Sequence, residues 1–414
     1  MFIDEWCKIT RDPVILDIVK HCHLDINVDA INHLFSKELS YKFNAEEQQI
    51  ITEELKVLLD LKVIEVTQRQ AEQIISPIFI RKMKNGGYRI VLNFKELNTH
   101  IPYTHFKMEN FGQAIRLINA GDYLASVDLR HAYYSVKVAD EQRRFLCFQW
   151  NGTINRFTCL PNGVSEGPRL FTKLMKPVFA TLREWGHSIT SFIDDTLICS
   201  STREGCISCI NDTVSLLQRL GFCVNLEKSV LVPSHTIEYL GNVVDTTAMS
   251  VSLPGRRVDK ITEACKKLMR RSCAPIREVA RVIGLLVAAF PAVNLGKLHY
   301  RQLEMEKIVA LRMTGGDFDK SMNITAGMKE DLNWWIHNVS FQHRNIFRSG
   351  TDIDLYTDAS NIGWGGHLHH RVICGNWSME ERAMHINALE LKAILLVLQT
   401  FSLDLKGHHI KVFL

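Results

Sequence analysis

The chain has 414 residues, 46% hydrophobic and 23% charged, with a formal net charge of +4 and a pI near 8.4, the balance of a globular protein with two or more cores. That composition excludes a disordered tail. Apolar windows such as VIGLLVAAF (282–290) and AILLVLQTF (393–401) fall short of a membrane span and suit buried helices, so no membrane partner is expected. The opening MFIDEWCKIT is acidic and lacks a signal-peptide core, and the eleven cysteines form no framework, which points to a reducing, intracellular setting. A charge of +4 permits a polyanionic partner without demanding one, and the oligomeric state stays open.

Residues 1–73 read as an N-terminal helical extension, in which AEEQQIITEELKVLLDLKVIE (45–65) has apolar residues at helical spacing and acids in its early turns, as a docking helix would. From 74 to 250 the texture becomes short β-prone runs (IISPIFI, YRIVLNF, YLASVDL, FLCFQW, SFI, TLICS) interleaved with helices, an α+β pattern. Asn151-Gly152 between two such runs predicts a hairpin, because both residues tolerate positive φ. Cys206 and Cys209 stand in a helical pattern and read as buried thiols, since a structural zinc needs four ligands. A helical stretch fills 251–345, and a new β-prone block opens within 346–414 at DLYTDASNIGWGGHL.

The decapeptide SFIDDTLICS (191–200) sets Asp194 and Asp195 side by side between apolar runs, which predicts two short strands with the acids at the turn between them. A plain β-turn would explain aspartate there, but not two like charges beside an apolar sheet, a repulsion that a divalent cation reverses. Upstream, YLASVDLRHAYYSVKV puts Asp128 at the end of another strand-like run. Three carboxylates from two strand ends can hold two metal ions against a reacting phosphate.

Asp128, LPNGVSEGPRLFTK (160–173), FIDD (192–195), GFCVNLEKS (221–229) and EYLGN (238–242) resemble, in order and type, the palm motifs of reverse transcriptases. SPIFIRKMKNGGYRIVLNFKELN (76–98) resembles the fingers of the same family. The resemblance implies a multidomain α+β right-hand polymerase: fingers and palm over 74–250, thumb and connection helices over 251–345. It further implies RNA- and DNA-templated DNA synthesis on template and primer from deoxynucleoside triphosphates, with Mg²⁺, or Mn²⁺ in its place, on Asp128, Asp194, Asp195 and the Leu129 carbonyl. Lys82, Lys84 and Arg89, around Gly86-Gly87, would fold over the triphosphate, although alone they would read as a solvated basic hairpin. Tyr133 matches the aromatic gate that collides with a ribose 2′-hydroxyl, with a packed core tyrosine as the alternative, a role Tyr134 suits better. Asn162 stands where many relatives carry Gln or Phe, and His131 where some carry Asp. Lys228 matches the position proposed to protonate pyrophosphate, and Tyr239-Leu240-Gly241 the primer-grip turn. PGRRVDKITEACKKLMRR (254–271) carries seven Lys or Arg against two acids, as a thumb helix tracking phosphates would.

DLYTDASNIGWGGHL and HINALELKAILLVL resemble the first strand and helix of ribonuclease H domains, with Asp358 and Glu390 as metal ligands. Beyond Glu390 the only acid is Asp404, so residues 346–414 are expected to be a partial ribonuclease H-like α/β domain without that activity, from truncation or decay, with disorder where its sheet lacks covering helices. The run W-S-x-E followed by HINALELKA (377–393) resembles DIRS-like retroelements, which pair a polymerase with a tyrosine recombinase. The competing readings are a non-catalytic nucleic-acid-binding remnant and an RNA-templated RNA polymerase.

Overall fold

A computed structural model describes residues 2–35, 43–82, 88–346 and 352–414, with the side chains of Asn32, Lys82 and Arg89 left aside. The chain divides into two units, Met1–Ile346 and Phe347–Leu414.

The first unit opens with α1 (Ile3–Ile9), α2 (Pro13–Lys20) and α3 (Ala45–Asp60). A reciprocal capping box between Asn44 and Glu47 starts α3. The helix stops at Asp60, short of the helical expectation to residue 65, because Lys62 turns left-handed at φ +56° and residues 64–67 become a strand. These N-terminal elements are no separate module. Trp6, Ile15, Ile18, Cys22 and Leu24 share one core with Phe171, Leu174, Leu217 and Phe222, and the Trp6 indole N–H donates to the Leu220 carbonyl at 3.1 Å.

Strand β1 (Ile64–Thr67) pairs with β6 (Thr153–Phe157), not with its neighbours in sequence, β2 (Ile78–Lys82) and β3 (Tyr88–Leu92), which form their own hairpin. Next come α4 (Lys95–Asn98), α5 (Phe111–Leu117) and β4 (Tyr123–Asp128). Then β5 (Cys147–Trp150) returns as β6 through Asn151 and Gly152, at φ +45° and +78°, as the dipeptide predicts. The long α6 (Gly167–Glu184) precedes β7 (Ser188–Phe192), β8 (Asp195–Ser200), α7 (Arg203–Arg219) and β9 (Val230–Ser234). Cys206 and Cys209 are buried free thiols on α7, pushed up to about 11 and about 12 by burial.

The central antiparallel sheet has the order β7-β8-β4-β9. Its strands feed two cores in alternation: Ala125 and Ile198 face the first, with α6 and α7, while Leu124, Leu197 and Cys199 face the second. Burial on both faces explains why these strands read as nearly continuous apolar runs. The second core is closed by the meander β10 (Thr236–Tyr239), β11 (Asn242–Asp245) and β12 (Ser250–Ser252), and by α8 (Gly255–Met269). It continues through β13 (Cys273–Pro275), α9 (Ile276–Ala289), α10 (Arg301–Met313), β14 (Ser321–Asn323), α11 (Ala326–Asn338) and β15 (His343–Asn345), which pairs with β12.

The second unit is a four-stranded sheet of order β18-β17-β16-β19, formed by β16 (Ile353–Ala359), β17 (Gly363–Leu368), β18 (Arg371–Asn376) and β19 (Ile410–Phe413). Short α12 (Met379–Arg382) leads to α13 (Ile386–Thr400), whose Val397 packs on Leu355 and Leu368. On the opposite face the exposed Tyr356 stacks on His367 and on Phe413, with ring centroids 4.5 and 4.6 Å apart.

Candidate active site

Strand pairing brings the palm carboxylates together. Asp128, the last residue of β4, is the cross-strand partner of Asp195, the first residue of β8, and Asp194 sits in the two-residue turn between β7 and β8. The other turn residue, Ile193, is held at φ +58°, a left-handed conformation that a β-branched side chain rarely adopts. Backbone bonds fix Asp128 from both sides: its N–H donates to Ser229 Oγ at 3.0 Å, and its carbonyl accepts from Asn225 N–H at 2.8 Å. The Ser229 hydroxyl donates in turn to the Asn225 carbonyl, and the Leu129 N–H donates to the Asp194 carbonyl at 3.2 Å. The run NLEKS is thus a buttress for Asp128.

Burial, then the charges of Asp194 and Asp128, push the Asp195 carboxyl up to about 6, with Lys228 opposing. The Tyr133 phenol is pushed up to about 12 by burial and by Asp194, and its ring meets Phe171 edge-on at 5.4 Å. Tyr133 and Tyr134 are both half-buried, so packing does not separate their roles. His131 before them is left-handed, at φ +54°, and stacks on Tyr134.

Tyr239 is buried and donates from its hydroxyl to the Asp195 carbonyl at 3.3 Å, a link from the expected primer-grip turn to the carboxylate floor that the sequence did not signal. Leu240 and Gly241 turn the hairpin at φ +46° and +74°, and Arg257 donates to the Gly241 carbonyl at 2.5 Å and the Ala288 carbonyl at 2.9 Å. That occupies one cation of the basic run. Arg256 pairs with Glu238, and Lys267 and Arg271 both pair with Glu278, so part of the expected phosphate track is engaged within the protein.

Asn162 is half-buried in a loop that Asn98 holds: the Asn98 amide donates to the Gly163 carbonyl at 2.9 Å and accepts from Ser165 N–H at 2.9 Å. Gly163, at φ +106°, could not carry a side chain without strain. Lys82 and Arg89 lie on paired strands of the fingers hairpin, their side chains outside the description, and Lys84 lies outside the described residues. In the second unit Asp358 is exposed at the mouth of an open cleft of about 570 Å³ shared with Ser360, Trp364 and Asn376. Glu390 is half-buried on α13 and is not part of the cleft lining.

Among the described residues no three His, Cys, Asp or Glu groups converge closely enough to hold a metal ion by themselves. The palm donors nonetheless fit a hard divalent cation: three carboxylates, one of them raised by burial and then by the charges of the other two. Such cations commonly take one or two protein carboxylates and complete their shell with substrate phosphate and water.

The fold is that of a polymerase, and residues 80–244 match the family model described as reverse transcriptase (RNA-dependent DNA polymerase). Similar proteins include the Pro-Pol polyprotein of Simian foamy virus type 3 (strain LK3), 25% identical over 232 residues, which are 56% of this chain and 19% of that protein. The Enzymatic polyprotein of Carnation etched ring virus is 22% identical over 404 residues, 89% of this chain and 55% of that protein. The chain thus spans between a fifth and about half the length of these relatives. Among solved structures, foamy viral protease-reverse transcriptase in complex with RNA/DNA hybrid superposes with a TM-score of 0.64 at 16% identity, over 96% of this chain and 50% of that one. The same enzyme in complex with dsDNA gives 0.63 at 16%, over 92% and 78%.

Proposed function

We propose that the chain is the polymerase portion of a retroelement, extending a DNA primer on RNA or DNA templates from deoxynucleoside triphosphates. The observation that carries this reading is the cross-strand pair Asp128–Asp195 with Asp194 on the adjoining turn, a cluster electrostatically unfavourable until a cation enters. Mg²⁺, or Mn²⁺ in its place, would be held by Asp128, Asp194 and Asp195 with the Leu129 carbonyl as a further oxygen, and when bound would neutralise charge on the reacting phosphate and on the attacking 3′-oxygen. The protein does the rest. Tyr133 would bound the sugar pocket against a 2′-hydroxyl, Lys228, whose charge acts on Asp195, would carry a proton toward departing pyrophosphate, and Lys82, Lys84 and Arg89 would close over the triphosphate with Asn162. Tyr239, Leu240 and Gly241 support the primer end.

The RNA/DNA hybrid and dsDNA bound by the foamy viral enzyme support nucleic acid of both kinds as partner. Among retroelements we place the chain nearest the DIRS-like group, on its W-S-x-E and HINALELKA runs. Primer extension on matched RNA and DNA templates, with and without Mg²⁺, tests the proposal; binding of template–primer with no extension on either would establish the non-catalytic remnant instead.

A further inference from the structure

The catalytic turn hangs on an edge. Among the described residues strand β7 pairs only with β8, and it delivers the chain directly to Ile193 and Asp194. In a two-residue antiparallel hairpin the residue pair next to the turn exchanges both backbone bonds and the following pair exchanges none. Phe192 pairs with Asp195, so Ser191 and Ile189 turn their N–H and C=O groups away from β8, toward the open edge. An edge strand left in that state is free to fray or slip.

Two side chains meet those groups, one from far upstream in sequence and one from six residues before. Glu109, just ahead of α5, accepts the Ser191 N–H at 3.0 Å and the Thr190 hydroxyl on one carboxylate oxygen. Arg183, near the end of α6, donates from Nε to the Ile189 carbonyl at 3.0 Å and from Nη2 to the other Glu109 oxygen at 2.6 Å. Although burial pushes the Glu109 carboxyl up, the bonds from Thr190, Ser191 and Arg183 together hold it below its ordinary value, so the clamp keeps its charge at neutral pH. Beside the clamp lies a cavity of about 100 Å³ bounded by Met175, Ile193 and Ser191, which leaves the outer side of the turn without dense packing. The polar clamp therefore supplies a hydrogen-bonded tether on that edge, beside the burial of Ile189 on the core side.

We infer that Glu109, braced by Arg183, is a positioning residue that sets the geometry of Asp194 by closing the open edge of β7. The inference rests on the proposed polymerase reading, because it gives the turn the task of holding a divalent cation. Its test uses the 414-residue chain with Glu109→Ala, Glu109→Gln and Arg183→Met, read by amide hydrogen exchange of residues 188–195, by Mn²⁺ titration followed by electron paramagnetic resonance, and by cation dependence of primer extension. Glu109→Ala should speed exchange in this segment about tenfold. It should weaken Mn²⁺ binding several-fold and raise the cation half-saturation of extension by the same factor, with the deoxynucleotide KM unchanged. Glu109→Gln keeps an acceptor for Ser191 and Thr190 and should recover most of the exchange protection, while Arg183→Met should fall between the two. Unchanged Mn²⁺ affinity in a folded Glu109→Ala protein overturns the inference, as does faster exchange spread evenly over the whole central sheet. If the parental chain fails to extend a primer, the functional reading falls, while exchange and Mn²⁺ titration still decide the clamp.

Discussion

The two sheets treat their acidic residues differently. In the central sheet Asp128 and Asp195 belong to neighbouring strands in fixed register, Asp194 is one residue away, and NLEKS, Tyr239, Glu109 and Arg183 tie down the backbone around them. In the second unit Asp358 lies on a strand and Glu390 on a helix, the first exposed at a cleft and the second outside it. Proximity of like charges costs energy, so a protein sustains it only where surrounding bonds over-determine it. The contrast separates carboxylates held side by side by a bonded backbone from two acids carried on separate elements.

The largest effect should come from Asp194→Asn, which removes one donor and relieves the repulsion on Asp195: primer extension should drop by about a thousandfold or more while circular dichroism and melting stay native or improve. Near-parental extension by that folded variant would erase the contrast. The other side of the comparison is sharpened with an RNA–DNA hybrid labelled in its RNA strand. The chain should leave it intact under conditions that support extension, since two acids on separate elements do not clamp a scissile phosphate. Cleavage abolished by Asp358→Asn would show that the second unit is organised after all.

A smaller change is expected at the sugar pocket. Tyr133→Val should admit ribonucleotides by about 10- to 100-fold over the parental chain, measured as the ratio of kcat/KM for dGTP and GTP, with little change for dGTP. An unchanged ratio would move the gate to another side chain. The smallest effect concerns acid titration. Asp195 has a folded value near 6 against an ordinary 3.8, so between these values the folded chain binds more protons than the unfolded one and metal-free stability falls as pH rises through that window. Asp195→Asn should flatten this slope and stabilise the chain at pH 7 by on the order of 1 kcal/mol, after discounting for partial exposure. Mg²⁺ should flatten the parental slope in the same way, as thermal melts from pH 4 to 7.5 would show.

The strand ends and turn that carry Asp128, Asp194 and Asp195 were legible in the sequence because their signal is local: adjacent aspartates between β-prone runs, an aspartate ending another run, and Asn-Gly at a hairpin. The supports were not. Asn98, Ser229, Glu109 and Arg183 act through main-chain groups, and the Glu109–Ser191 bond spans 82 positions, so no pattern in either segment announces it. The helix expected over 45–65 failed at its end for a related reason: Ile64 and Val66 continue an apolar spacing, but pairing with Phe157 and Asn155 decides their conformation. In the basic run after the palm, the partners Glu238 and Glu278 lie outside the run, so its charge count alone did not show which cations are engaged.

The sharing of one core by the N-terminal helices and the layer of α6 and α7 also bears on synthesis. Trp6 finds its carbonyl partner at Leu220, and the Leu24 backbone is gripped by both ends of the Gln142 amide, through bonds spanning 214 and 118 positions. During translation residues 2–30 would therefore emerge without their lodging and stay exposed until residue 222 has cleared the ribosome. The same wiring sets where the polypeptide can be cut: a fragment trimmed to residues 80–244 would bare the groove that Trp6 and Ile15 fill, and should aggregate where a fragment that begins at residue 2 stays in solution.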